Sequence, residues 1–154
     1  MSLDETKKIE AVFVLEVIGK PADHLTTTLK DIIEKMKQEK GVVVKNSKVN
    51  DPAPLKDKEG FFTNFAEIEL SLEDPLKLFF MIFGYMPAHV EVTYPENIKF
   101  TNDGLGAVLN DLTRKLHSYD EIAKILQMEK NILERKLKSV LTQKQETETK
   151  EDKK

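Results

Sequence analysis

The chain of 154 residues contains no cysteine and no tryptophan. Without cysteine there can be no disulfide, no thiolate metal site and no thiol nucleophile; this fits a reducing interior, and a cytoplasmic location is expected. Arginine is absent from residues 1–100, where 13 Lys face 17 Asp+Glu, while residues 101–154 set 11 Lys+Arg against 10 acids. Neither half has the basic excess that grips a phosphate backbone, so nucleic acid is not an expected partner. Long apolar runs are missing too. The densest, Leu76 to Met86, is interrupted by Lys77 and meets Gly84, far short of the roughly 20 residues of a spanning helix, so no membrane or signal segment is expected.

Motifs for catalysis are equally scarce. No GxSxG, P-loop or kinase pattern occurs, and His24, His89 and His117 form neither HxxxH nor HExxH. Gly104 and Gly106 give a GxG at the start of a helix, but Asp103 sits where an anion would bind and position 109 is Leu, so capping is the better account. No cofactor is implied.

What the chain does contain is hydrophobic periodicity. Ala11 to Ile18 is a β-branched and aromatic run closed by Gly19 and Pro21, which reads as a central strand. From Ala22 to Lys40, Leu25, Leu29, Ile32, Ile33 and Met36 recur at helical spacing, and Gly41 ends the helix. Val42 to Val49 reads as a strand, Asn50 to Gly60 as a polar proline-bearing loop, and Phe61 to Leu70 as a strand with Ala66, Ile68 and Leu70 inward. Asp74 and Pro75 supply an N-cap and a first-turn proline for a short helix ending at Gly84. Ala88 to Tyr94 alternates again, with Val90, Val92 and Tyr94 inward. The order βαββαβ over residues 9–100 predicts an α+β fold: a ferredoxin-like sandwich, in which a four-stranded antiparallel sheet carries two helices on one face.

Thr101 or Asn102 caps a last, long amphipathic helix over residues 101–142, and the wholly polar residues 143–154 read as a disordered tail. The helix carries an apolar seam in alternating steps of four and three: Leu105, Leu109, Leu112, Leu116, Tyr119, Ala123, Leu126, Lys130, Leu133, Leu137 and Val140. Forty helical residues span about 60 Å, whereas a domain of roughly 100 residues is about 33 Å wide. The sheet's open face, a second copy of the helix or another protein must cover the stripe. The expected outcome is a homodimer or higher homo-oligomer through Leu116, Tyr119, Ala123, Leu126, Leu133, Leu137 and Val140. The alternatives are a core stripe within one self-contained fold, and a break near His117, where Ser118 and Glu121 form a capping-box pattern. The 4-3 phase runs through Ser118 undisturbed and favours a continuous helix.

The one constellation with chemical capacity is expected on the open face of the sheet. Glu16, Glu67, Glu69, His89 and Glu91 would project together there, and such groups could hold a hard divalent ion or act as acid and base; a merely solvated acidic face is the plainer reading. RNA-binding modules of this topology stack bases on aromatics, but only Phe65 is expected on that face, among glutamates that repel phosphate.

Gly19, Lys20, Pro21 and Leu25 resemble the loop of ACT-type ligand-sensing domains, with the Pro-to-Leu spacing one residue longer and no second glycine. That resemblance implies a regulatory domain for a small ligand. Met86-Pro87-Ala88-His89-Val90-Glu91-Val92, Tyr94-Pro95-Glu96, Leu109-Asn110-Asp111-Leu112 and Leu116-His117 resemble small archaeal proteins of unknown role. The leading expectation is a non-enzymatic interaction or assembly module. A small-ligand or metal sensor is the alternative, and an enzyme with a carboxylate-based site the third reading.

Overall fold

The computed structural model describes residues 8–151, with side chains described through residue 144. By internal contacts the chain divides into two units, Met1–Val108 and Leu109–Lys154. The first holds β1 (Ile9–Gly19), α1 (Ala22–Gln38), β2 (Val42–Val49), β3 (Ala53–Pro54), β4 (Phe62–Leu72), α2 (Pro75–Tyr85), β5 (His89–Tyr94) and the opening turns of α3 (Asn102–Glu151).

The sheet order is β2-β4-β1-β5, antiparallel throughout, with the two-residue β3 added beside β4. This is the ferredoxin-like arrangement, with the two longest strands, β1 and β4, at its centre. On β1, Ile9, Ala11, Phe13 and Leu15 are buried, and on β4 Ala66, Ile68, Leu70 and Leu72, as the period of two requires of a sheet covered on one face. Leu25, Leu29, Ile33 and Met36 of α1 and Leu78 and Met81 of α2 are buried as well, and most of these side chains form one core cluster. Asn64 is the buried polar residue; its Nδ2 donates to Thr26 Oγ1 of α1 at 3.1 Å and its Oδ1 accepts from the Phe65 amide at 2.8 Å. Strand and helix are thereby tied by a buried amide whose hydrogen bonds are made.

Several details differ from the sequence reading. The segment Asn50 to Gly60, read as a loop, contains a short strand: Ala53 and Pro54 pair with Thr63 and Phe62, and the Leu55 amide donates to the Phe61 carbonyl at 2.8 Å. Asp74 caps α2 as expected, accepting from the Lys77 amide at 2.9 Å, but the helix ends one residue beyond Gly84. Its left-handed cap is Met86, with φ 48°. Tyr94 is not inward. A bulge in the β1–β5 ladder sets Val92 opposite Ala11 and Tyr94 opposite Glu10, which turns the Tyr94 ring to the open face, where it is exposed.

Helix α2 is apolar nearly all round, and its faces are divided. Leu78 and Met81 enter the core, Phe79 packs against the Phe100 ring at a centroid distance of 5.7 Å, and Leu76 and Phe80 remain exposed. Thr101 caps α3: its Oγ1 accepts from the Gly104 amide at 3.0 Å and its carbonyl from the Leu105 amide. Val108 is buried.

In the second unit α3 runs through Ser118 without a break, so the capping-box pattern there starts no new helix. Its backbone stays helical to Glu151, where the sequence reading ends the helix at Thr142; residues 152–154 of the expected tail lie outside the described residues. Asp120 pairs with Lys124 at 2.5 Å, Asp111 accepts from Arg114 at 2.7 Å, and Lys130 lies 3.8 Å from Glu134. Such exposed pairs contribute up to about 1 kcal/mol each.

Candidate functional site

The sheet's open face follows from register, because residues directly opposite each other in a ladder point to the same side. One row runs Asn46, Glu69, Val12, Glu91 and the next Lys48, Glu67, Val14, His89, with Glu16 and Phe65 paired beyond them. The five residues singled out from the sequence, Glu16, Glu67, Glu69, His89 and Glu91, do share this face. They do not converge. Val12 and Val14 of β1 stand between the β4 carboxylates and the β5 side chains, and two inter-strand steps separate those backbones by about 9.5 Å. Among the described residues no group of three or more His, Cys, Asp or Glu is placed to hold a metal ion.

Each of the nearer acids also has a neighbour that answers its charge or lone pairs. Glu16 Oε1 accepts from Thr63 Oγ1 at 2.8 Å, Glu69 Oε1 accepts from Asn46 Nδ2 at 3.4 Å, and Glu67 is opposite Lys48. Glu10, which the sequence reading passed over, is the most strongly bound: Lys8 and Lys45 each lie 2.8 Å from its Oε1. Hydrogen bonds from Lys45 and Lys8 hold its carboxyl well down, at about 2. Lys45 reaches Glu10 at the β2 bulge, between Val44 and Asn46, an offset that periodicity does not reveal.

A second feature is a groove of about 200 Å³ lined by Asp74, Pro75, Leu76, Lys99, Phe100, Thr101 and Gly104. Its polar groups are already engaged in capping: Asp74 holds the α2 amide and Thr101 the Gly104 amide, so the GxG presents no free cradle at Gly104. Across the helical layer, Tyr85 Oη donates to Glu39 Oε1 at 2.8 Å, and burial with this bond pushes the phenol up to about 12. It latches α2 to the end of α1.

The third and largest feature is the seam on α3. Leu116, Tyr119, Leu126, Leu133, Leu137 and Val140 are between 43% and 64% exposed, and Ala123 is exposed with them. Ile122, Ile125 and Ile132 are exposed alongside, and the sequence reading left them out. They were visible in the chain, since at 100° per residue Ile122 borders the seam and Ile125 and Ile132 lie beyond it on the same side, but a count of four-three steps retains only the seam itself. Leu141 is exposed on the other flank of the seam and Met128 on the far side of the helix.

A family model matches residues 10–149, which include the sheet domain and nearly all of α3. The chain belongs to the MJ0538 family. The segment Met86 to His117 that carries the resemblance to small uncharacterised archaeal proteins lies inside the matched span, and the helix is as much a part of the MJ0538 family's extent as the sheet is. Comparison with curated proteins and with solved structures returns no match. Among the described residues no helix is long and apolar enough to cross a membrane.

Proposed function

We propose that this MJ0538 family protein is a non-enzymatic assembly module, in which the ferredoxin-like domain is carried by a helix that associates with a second copy of itself. The observation that carries this reading is the continuous exposed seam from Leu109 to Val140 on one uninterrupted helix. Fully burying a leucine contributes roughly 1.5–3 kcal/mol. Leu109, Leu112, Leu116, Leu126, Leu133 and Leu137, 38% to 64% exposed, therefore retain about 0.6–2 kcal/mol each to be gained on pairing. Two chains together exceed the low end of the roughly 4–15 kcal/mol that association costs. The open sheet face supports no rival of equal weight, because its acids are spread across a valine row. A cytoplasmic setting goes with the reading, since the chain needs no oxidised cysteine.

The test is the mass of the full chain in dilute buffer by light scattering. The reading expects a multiple of 17.7 kDa that falls on dilution. A mass of one chain at every concentration overturns it.

A further inference from the structure

We infer that the occupant of the α3 seam is the same helix of a second copy running antiparallel, with Leu116 facing the partner's Leu133 and Lys130 facing the partner's Tyr119. This rests on the self-association reading and adds to it a direction and a register. Written as a heptad, Leu109, Leu116, Ala123, Lys130 and Leu137 occupy position a, and Leu112, Tyr119, Leu126, Leu133 and Val140 position d.

Lys130 is the one charge in the seam. In a parallel pair each a residue meets its own copy, so two Lys130 ammonium groups would share one desolvated layer. In an antiparallel pair a meets d. Of the registers that set a against d, one places Leu109 against the partner's Val140, Leu116 against the partner's Leu133, Ala123 against the partner's Leu126, Lys130 against the partner's Tyr119 and Leu137 against the partner's Leu112. The single cation then meets the single aromatic ring of the seam, where the ring face attracts it. The small residue, Ala123, meets a large one. A slip by one heptad in either direction puts Lys130 against a leucine, Leu112 or Leu126 of the partner.

The test uses the absence of native cysteine. Full-length Leu116→Cys and Leu133→Cys chains are mixed, their association is checked by light scattering under reducing conditions, and the mixture is then oxidised. The expected product is the mixed disulfide between one chain of each kind, identified by mass. Leu116 and Leu133 lie about 25 Å apart along one helix, so like-with-like disulfides as the main product would mean a parallel pair and overturn the inference. Associated chains that give no mixed disulfide would overturn the register. Chains that fail to associate even as the parent protein would refute the self-association reading itself. As a second measurement that leaves the seam intact, a spin label on Asn110→Cys is expected to give an inter-label separation of about 43 Å or more along the axis. A separation near the width of two helices, roughly 20 Å, would overturn the antiparallel direction.

Discussion

Replacing Leu133 by alanine should weaken self-association while leaving the sheet domain untouched. Leu133 is 64% exposed, the highest value among the α3 leucines, so about two thirds of the roughly 1.5–3 kcal/mol available from full burial remains to be gained when a partner covers it. Truncation forfeits most of that, about 1–2 kcal/mol per chain, and twofold symmetry applies it twice. A loss of about 2–4 kcal/mol corresponds to a dissociation constant raised about 30- to 700-fold. Alanine is the better helix former, so α3 itself should persist. Sedimentation equilibrium on parent and Leu133→Ala chains over a range of concentrations reads the constant, and thermal melting followed by circular dichroism at a concentration where both are single chains reads the fold. Equal association constants together with a lower melting temperature for the dilute variant would refute the reasoning, because they would make Leu133 a core residue of its own chain.

Further outcomes follow from the sheet domain. Because folding lowers the Glu10 carboxyl from 4.5 to about 2, its ion pairs stabilise the fold fully above about pH 4.5 and lose that effect as pH falls towards 2. Denaturation curves of parent and Glu10→Gln should differ at neutral pH and low salt and coincide at about pH 2; a gap that persists there would show that the pairs do not act through charge. Tyr85 is raised to about 12, so its bond to Glu39 contributes below about pH 10 and is lost as pH rises through 12. The ultraviolet difference between parent and Tyr85→Phe should titrate at about 12, and the variant should lose about 0.5–1.5 kcal/mol of stability at pH 7 by denaturant titration. Asn64→Ala removes both the bond to Thr26 and the acceptor of the Phe65 amide and should cost about 1–3 kcal/mol, read the same way. Divalent cations should leave the melting temperature of the parent unchanged; an upward shift that Glu67→Gln with Glu69→Gln removes would establish an ion site on the sheet.

The sequence alone determined the order of elements and the face each one buries. Apolar residues at a period of two on β1 and β4, and at 3.6 on α1, can be satisfied only by a sheet with helices on one side, and Asp74-Pro75 and Thr101 mark helix starts because amide groups at those ends need an acceptor. It also determined that α3 carries an apolar seam longer than a domain of about 100 residues is wide. Tertiary structure decided what periodicity does not encode. Register and bulges depend on the neighbouring strand, which is why Tyr94 turns outward, Lys45 finds Glu10 and the carboxylates of β4 end up across a valine row from those of β5. The same holds where α2 stops: Met86 takes the left-handed cap although Gly84 was on offer. The turn there is set by the path from α2 to β5, which only the assembled domain specifies.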